Sequence, residues 1–210
     1  MKLICFDCDS TLSSIEGIDE LGRLRGPEVF ARAQAMTEDA MNGRIPIEDV
    51  FARRLEAIRP SRGDTAQLAK LYLRHVEPTA QATVAHLQAA GWTPVIISAG
   101  FTQAIEPLAA LLGIARIEAV GLRFGADGAY QGFDRAFPAT RTGGKRLIVE
   151  RLRSELGPGK TVVVGDGVSD LEAAPAADLF IGFGRFVTRE RVKREAAAFV
   201  TSLAEIPALV

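Results

Sequence analysis

The sequence predicts an α/β fold, in which a doubly wound parallel sheet carries a small four-helix domain inserted after its first strand. Short apolar runs typical of buried strands recur along the chain, and segments with helical spacing separate most of them. One long stretch, from about residue 13 to residue 78, has helical patterns and no strand candidate. The length of 210 residues is sufficient for one large core and a second, smaller domain.

Apolar runs predict the strands of the sheet at residues 3–6, 94–97, 117–120, 161–164 and 179–181. Helical spacing appears between them, for example at Ile105, Leu108 and Leu112. Residues 122–135 interrupt the alternation with an Asp127-Gly128 turn between short extended runs, which is the pattern of a β-hairpin. Because such sheets bind ligands at the carboxyl ends of their strands, we expect the functional groups directly after the strands.

Glycine and proline divide the long helical stretch into four segments. The breaks lie at Gly26-Pro27, residues 43–46 and residues 60–64. We expect residues 13–78 to form a helical cap domain, and residues 1–12 and 79–210 to form the α/β catalytic core. An insert that directly follows the first loop can cover that loop as a lid.

Composition and charge argue against several classes of partner. The net charge is −1 and no basic run is present, which disfavours binding to nucleic acid or to an anionic membrane. The apolar start is shorter than a signal peptide and is interrupted by Asp7, and no run approaches the length of a membrane span. We expect a cytoplasmic protein, and the sequence leaves open whether it is a monomer or a homodimer.

The two cysteines, Cys5 and Cys8, have the C-x-x-C spacing of a redox pair. Cys5 lies inside a predicted buried strand, however, and the Asp7 carboxylate between the two would raise a thiol pKa. A zinc site would need further ligands, and both histidines, His75 and His86, lie far along the chain. We therefore interpret both cysteines as small buried residues.

Two carboxylates, those of Asp7 and Asp9, stand one residue apart where the first strand opens into a loop. A buried strand end is an unfavourable place for charge unless the charge is paired or binds a metal. In extended backbone both side chains point the same way. The pair predicts a cation site, a nucleophile with an acid/base partner, or both together.

Further polar groups follow other predicted strands or begin a helix: Ser98-Ala99-Gly100, Lys145 after two glycines, and Gly165-Asp166-Gly167-Val168-Ser169-Asp170. Their positions predict that they meet the opening loop at one edge of the sheet. Magnesium prefers carboxylate, water and phosphate oxygens, and backbone N–H groups beside glycine can approach a phosphate. The set fits metal-assisted phosphoryl transfer through a carboxylate nucleophile.

Arg54 lies on the apolar face of a predicted helix. At about 100° per residue it falls inside the stripe formed by Ile47, Val50, Phe51, Leu55 and Ile58. A guanidinium on such a face needs an anion, and its planar fork suits a carboxylate. The alternative is a buried pair with an acidic residue of the insert, such as Asp39 or Glu38. The neighbouring Arg53 points away from the stripe.

The ordered motifs Asp7-x-Asp9-Ser10-Thr11, Ser98, Lys145 and Gly165-Asp166-Gly167-x-x-Asp170 resemble those of the haloacid-dehalogenase-like phosphotransferases. The resemblance covers nearly the whole chain. The segment from Ser14 to Leu21, together with the helical insert, resembles the phosphoserine phosphatase family within that superfamily. The resemblance implies hydrolysis of L-phosphoserine to L-serine and phosphate, in serine biosynthesis, with Mg²⁺ as cofactor and a small phosphorylated metabolite as partner.

The resemblance also implies a role for each matching residue. Asp7 would be the nucleophile that forms an aspartyl-phosphate, and Asp9 would be the acid and then the base. Ser98 and Lys145 would hold the phosphoryl oxygens. Mg²⁺ would be held by Asp7, the Asp9 backbone carbonyl and Asp166, with Asp170 in support. The substrate would be bound by Glu16, Met41, Arg54, Ser98, Ala99, Gly100 and Ser169.

Other interpretations stay open at this point. Lys145 could be an ordinary surface lysine, Glu16 an ordinary residue at a helix start, and Met41 a core residue. Ser169, Ala99 and Ile47 each stand where many relatives have a different residue, which leaves the substrate open. The alternatives are phosphoryl transfer to homoserine, hydrolysis of another small phosphate, or an inactive binding or regulatory protein on the same scaffold.

Overall fold

A computed structural model describes all residues of the chain, Met1–Val210. Its main sheet has six strands in the order β3-β2-β1-β6-β7-β8, and all neighbours are parallel. These strands are β1 (Lys2–Phe6), β2 (Trp92–Phe101), β3 (Arg116–Val120), β6 (Lys160–Gly165), β7 (Leu179–Phe183) and β8 (Ala198–Val200). The predicted hairpin is present as β4 (Leu122–Phe124) and β5 (Tyr130–Phe133), which pair antiparallel. The predicted doubly wound α/β fold is confirmed.

The direction of winding reverses between β1 and β6. The chain passes from β1 to β2 and β3 on one side, and later from β6 to β7 and β8 on the other. Loops that leave neighbouring strands in opposite directions open a crevice at the carboxyl edge of the sheet. The acidic loops after β1 and β6 both border this crevice, as the sequence predicted.

The sheet is buried on both faces, which explains its continuous apolar strands. Alternate residues of β1 face opposite sides, so that Ile4 and Phe6 join one core and Leu3 and Cys5 join another. The first core is the larger and also contains residues of the insert, including Leu55. Insert and sheet are therefore held together by a shared apolar interior.

Nine α-helices complete the fold. Those after the insert are α5 (Ala80–Ala89), α6 (Thr102–Leu112), α7 (Gly144–Leu156), α8 (Val168–Leu171) and α9 (Glu190–Glu195). The four helices of the insert are α1 (Gly17–Arg23), α2 (Pro27–Met41), α3 (Ile47–Ile58) and α4 (Arg62–Arg74). Local sequence explains their ends: Pro27 begins α2, and Ser61 and Asp64 form a reciprocal capping box on α4.

The two ends of the insert lie side by side. Ser13 and Val76 form an isolated antiparallel bridge, and the Ser14 N–H donates to the His75 carbonyl at 2.9 Å. The Glu77 N–H donates to the Leu12 carbonyl at 2.8 Å. The chain thus leaves and re-enters the sheet region through one narrow double connection.

The structure corrects two strand predictions. Strand β2 runs to Phe101 and not to residue 97, although its pairing with β3 shifts register between Ile97 and Phe101. Residues 98–100 form a bulge there, which explains why apolar patterning ended before them. Strand β8 was not predicted, because three residues at a sheet edge carry too little pattern.

No helix combines the length and apolar character needed to cross a membrane.

Candidate active site at the sheet switch point

The Asp7 side chain lies at the end of β1 and is held through one of its two oxygens. Its Oδ1 accepts a hydrogen bond from the Cys8 N–H at 2.7 Å and lies 2.8 Å from Lys145 Nζ. The same ammonium lies 2.6 Å from Asp170 Oδ1. Asp7 Oδ2 accepts no hydrogen bond from the protein. The carboxylate is therefore fixed in orientation and presents one free oxygen to the crevice.

Lys145 is buried, and the interpretation of it as a surface lysine is wrong. It lies in the first turn of α7, which begins close to the Pro138 carbonyl because Gly144 has no side chain to collide with it. Burial alone would lower the pKa of Lys145. The carboxylates of Asp170 and Asp7 outweigh burial and raise that pKa, so the ammonium stays charged.

Asp166 follows β6 and is engaged through both oxygens. Thr11 Oγ1 donates to its Oδ1 at 3.1 Å, and Arg189 Nε donates to its Oδ2 at 3.2 Å. Arg189 Nη2 also lies 3.9 Å from Glu16 Oε1. Arg189, which lies just before α9, thereby joins a carboxylate of the core to one of the insert.

The residues fit a divalent cation of the magnesium type. Asp7, Asp166 and Asp170 each offer a carboxylate oxygen, and these atoms lie within 4.8 Å of one another. Burial raises the pKa of Asp7 well above its usual range, and burial followed by the charge of Glu16 raises that of Asp166 to about 7. An oxygen-only set of crowded carboxylates is what Mg²⁺ binds, and a bound cation would favour their charged forms.

Asp9 is held by the insert. Tyr72, on α4, donates its hydroxyl hydrogen to Asp9 Oδ1 at 2.5 Å. Burial raises the pKa of Asp9 to about 6, although the hydrogen bond from Tyr72 and the nearby backbone of Gly17 oppose the shift. A carboxyl group with this pKa can both give and accept a proton near neutral pH.

Glu16 precedes α1 and faces the same crevice. Its Oε1 accepts a hydrogen bond from Ser10 Oγ at 2.6 Å, and Ser10 has a positive φ of 50°. A non-glycine residue rarely adopts this conformation, and here it turns the Ser10 side chain toward Glu16. Burial and the charge of Asp9 raise the pKa of Glu16 to about 7.

This shift predicts how Glu16 affects stability. Its pKa is higher in the folded than in the unfolded protein, so its ionisation weakens folding as pH rises from about 4.5 to about 7. In metal-free protein, Glu16→Gln should therefore increase the free energy of unfolding at pH 8 by on the order of 2 kcal/mol, and by much less at pH 5. Urea unfolding at both pH values measures this, with Glu106→Gln as control, because Glu106 is exposed. A gain that is equal at both pH values would contradict the shift.

Ser98 lies at the bulge of β2, and its hydroxyl points back to its own backbone. Ser98 Oγ accepts a hydrogen bond from the Gly100 N–H at 2.8 Å. A Cβ on Gly100 would lie 3.0 Å from that hydroxyl and 3.4 Å from Asp9 Oδ2. The Ser98-Ala99-Gly100 segment therefore reaches the Asp9 side of the crevice, as predicted.

Arg54 is buried at 2 % exposure and has few partners. Its Nη1 donates to Thr37 Oγ1 at 2.8 Å, and the Thr37 hydroxyl donates to Asp19 Oδ1 at 2.6 Å. Arg54 Nε has no hydrogen-bond partner. Burial lowers the pKa of Arg54, and the negative charges of Asp19, Glu16 and Asp9 oppose that shift. The partner of Arg54, Thr37, lines a cavity together with Glu16 and Arg189.

The alternative partners considered for Arg54 are wrong. Asp39 pairs with Arg44 at 3.1 Å, and Glu38 accepts a hydrogen bond from Gln34 at 3.5 Å. The acidic neighbour of Arg54 is instead Asp19, a buried residue of the insert that is reached through the Thr37 hydroxyl, so an acidic partner within the insert is present at a different position. Arg53 is exposed, as predicted.

Met41 and Ser169 meet where the insert faces the loop after β6. Both line a cavity of about 150 Å³, and the Met41 sulfur would lie 3.2 Å from a Cβ on Gly167. Ser169 Oγ is buried without a hydrogen-bond partner. A second cavity, of about 310 Å³, is lined by Glu16, Thr37 and Arg189 among others. Met41, Ser169 and Glu16 thus lie along the boundary between the insert and the sheet, whereas Arg54 lines a cavity formed by residues of the insert alone.

Some residues of the site were not predicted, among them Thr11, Asp19, Thr37, Tyr72 and Arg189. Most buried tyrosine hydroxyls have a hydrogen-bond partner, so the position of Tyr72 on an apolar helix face was an available signal. Cys5 and Cys8 are buried and free. Burial raises the pKa of the Cys5 thiol to about 12, which rules against a reactive redox pair and agrees with the interpretation from sequence.

Comparison with known proteins identifies the class to which this fold and site belong. Residues 1–178 match the family model for haloacid dehalogenase-like hydrolases. The chain belongs to this family of hydrolases.

Individual relatives narrow the assignment. The chain is 38 % identical to phosphoserine phosphatase of Mus musculus over 205 residues, which cover 97 % of this chain and 90 % of the mouse protein. A phosphoserine phosphohydrolase-like protein from Francisella tularensis superposes with a TM-score of 0.91 at 25 % identity over all of both chains. A substrate-bound phosphoserine phosphatase gives 0.88 at 26 % identity, covering 100 % of this chain and 98 % of the other. Within the hydrolases, the chain is a member of the phosphoserine phosphatase family, and the prediction of a phosphatase enzyme is confirmed.

Proposed function

We propose that this protein is a Mg²⁺-dependent phosphoserine phosphatase that acts through an aspartyl-phosphate on Asp7. The observation that carries the proposal is the orientation of Asp7. Lys145 and the Cys8 N–H hold one carboxylate oxygen, and the other is free at the switch point of the sheet. A carboxylate held in this way is ready for in-line attack on phosphorus.

The proposed reaction has two steps. In the first, Asp7 Oδ2 attacks phosphorus, the bond from phosphorus to the seryl oxygen breaks, and Asp9 gives its proton to that oxygen. In the second, Asp9 takes a proton from water, the resulting hydroxide attacks the aspartyl-phosphate, and Asp7 leaves as a carboxylate. The raised pKa of Asp9, about 6, supports both proton transfers.

Lys145 and Ser98 are proposed to bind the phosphoryl oxygens. The Lys145 ammonium already neutralises Asp7 and Asp170, so it can lower the repulsion between the nucleophile and an incoming phosphate dianion. The Ser98 hydroxyl accepts from Gly100 N–H and keeps its own hydrogen available for donation. Ala99 is proposed to offer its backbone N–H group beside it, whereas the Gly100 N–H donates to Ser98 Oγ and orients that hydroxyl.

Mg²⁺ would be held by Asp7, the backbone carbonyl of Asp9 and Asp166, with Asp170 as a supporting carboxylate. When bound, the ion supplies positive charge that offsets the charge of the transferring phosphoryl group. Asp170 is engaged by Lys145 and by the Gly167 N–H, which suits a supporting role. Asp166 accepts one hydrogen bond at each oxygen, so a lone pair of either oxygen would be left for the ion.

The substrate contacts follow from charge. Glu16 is proposed to bind the substrate ammonium and Arg54 its carboxylate, because Arg54 has an unpaired donor and Glu16 is a half-buried acceptor. Met41 would cover the methylene group, and Ser169 would use its unpartnered hydroxyl. These contacts support phosphoserine over phosphate esters that lack an amino-acid group.

The insert, residues 13–78, is proposed to act as a cap on the core formed by residues 1–12 and 79–210. The double connection at Ser13 and Val76 supports movement as a unit. Glu48 of α3 accepts hydrogen bonds from the Thr142 N–H and hydroxyl, both at 2.8 Å, which supports a closed arrangement. Closure would exclude bulk water from the aspartyl-phosphate.

Phosphate release from L-phosphoserine tests the proposal. We expect release with Mg²⁺, its loss with a chelator, and its recovery when Mg²⁺ is restored. Phosphoserine left uncleaved while another small ester is hydrolysed would contradict the substrate. Adding homoserine separates transfer from hydrolysis, since transfer yields phosphohomoserine in place of free phosphate. The cytoplasmic location and the choice between monomer and homodimer stay predictions from sequence.

A further inference from the structure

The Tyr72 hydroxyl is a direct contact between the insert and the acid/base carboxylate proposed above. The ring of Tyr72 is fully buried on α4, and its O–H donates to Asp9 Oδ1 at 2.5 Å. A carboxylate offers only acceptors, so the hydrogen on this contact belongs to the tyrosine. Hydrogen bonds to an ionised group are the shorter and stronger kind.

The absence of a side chain at Gly17 leaves room for this hydroxyl. Gly17, at the start of α1, packs against the tyrosine, and a Cβ at that position would overlap the hydroxyl oxygen. The same Cβ would lie 3.0 Å from the Tyr72 ring carbon that bears the hydroxyl and 3.3 Å from a Leu68 methyl group. Residues of α1 and α4 therefore fix the tyrosine, and with it the position of its hydroxyl.

The two carboxylate oxygens of Asp9 lie in different environments. Oδ1 is held by Tyr72 on the insert side, whereas Oδ2 lies toward the bulge of β2, 3.4 Å from a Cβ placed on Gly100. A carboxylate held at one oxygen cannot rotate freely about its side-chain bonds. The oxygen left for proton exchange is then the one beside the Ser98-Ala99-Gly100 segment.

We propose that Tyr72 is a positioning residue for Asp9, which directs Asp9 Oδ2 toward the leaving oxygen of the substrate. The inference rests on the proposed function, because it requires Asp9 to be the acid and base. Tyr72 keeps its own hydrogen throughout the reaction. The proton that moves passes from Asp9 Oδ2 to the seryl oxygen as the phosphorus–oxygen bond breaks, and returns to Asp9 from water in the second step.

The variant Tyr72→Phe isolates the hydroxyl because it keeps the buried ring. We expect kcat and kcat/KM for phosphoserine to fall about tenfold with KM unchanged, as for loss of one hydrogen bond to a charged group. Tyr130→Phe is the matched control, since Tyr130 is also buried and its hydroxyl has no partner. It should leave kcat and KM as in the wild type.

A second substrate separates positioning from general damage to the site. Acetyl phosphate releases acetate, which needs no proton to leave, so kcat/KM for acetyl phosphate reports attack by Asp7 without acid catalysis. We expect Tyr72→Phe to change that value less than twofold. Thermal unfolding of the same preparations shows that each variant is folded.

The outcomes are distinct. Equal losses on both substrates would give Tyr72 a structural role and overturn the inference, as would unchanged kcat for phosphoserine. Either result leaves the proposed function intact, provided that the wild type hydrolyses phosphoserine. A wild type inactive on phosphoserine would instead overturn the proposed function, and the role of Tyr72 with it.

Discussion

Replacing Asp7 by asparagine should lower kcat for phosphoserine by at least about 1000-fold, because the amide cannot form the aspartyl-phosphate. The fold should remain. Burial and the carboxylates of Asp170 and Asp166 raise the pKa of Asp7, so its ionised form is unfavourable in the metal-free protein. A neutral amide at this position is expected to leave the melting temperature in chelator at or above that of the wild type.

Asp49→Asn is the matched control for this change. Asp49 is an exposed aspartate on α3, far in sequence from the acidic loops, and its substitution should alter neither activity nor melting temperature. Normal turnover by Asp7→Asn would exclude covalent catalysis at this residue. A melting temperature well below that of the wild type would show that the loss of activity reflects damage to the fold.

Replacing Arg54 by lysine should lower kcat/KM for phosphoserine by about 100-fold, because an ammonium cannot bind a carboxylate through two parallel hydrogen bonds. Lysine keeps the positive charge of Arg54, so the buried site still contains a cation. Phosphoethanolamine lacks the carboxylate, and its low kcat/KM should change by less than about threefold. Steady-state kinetics on both substrates measure this difference.

Arg53→Lys provides the control for Arg54, since it makes the same substitution one residue away at an exposed position. It should leave both substrates unaffected. Equal losses on phosphoserine and phosphoethanolamine in Arg54→Lys would mean that Arg54 supports the cap and does not recognise the carboxylate. In that case its contact with Thr37 would be its main role.

The position of acidic residues directly after apolar strands predicted the carboxylate cluster of the candidate site. Asp7 and Asp166 were expected at one sheet edge because each follows an apolar strand, and the structure places their carboxylates within reach of one ion. Arg54 was expected to be buried from the helical stripe around it, and it is. These predictions succeeded because they depend on local periodicity and on the general geometry of parallel sheets.

Site residues whose positions depend on the path of a loop were not predicted. Arg189 belongs to a segment rich in both charges, which typically lies in solvent, yet it enters the crevice and contacts Asp166. Nothing in the local pattern gives the course of the chain between β7 and α9. Asp19 and Thr37 were missed for a related reason, since their link to Arg54 depends on how three helices of the insert pack.

Acid-quench trapping with phosphoserine that carries a radiolabelled phosphate tests most directly whether the phosphoryl group is transferred to Asp7. Wild-type protein with Mg²⁺ should retain label after quenching, hydroxylamine should release it as expected for an acyl phosphate, and peptide mapping should assign it to Asp7. Asp7→Asn should retain none. Label that persists in Asp7→Asn, or that maps to another residue, would contradict the account.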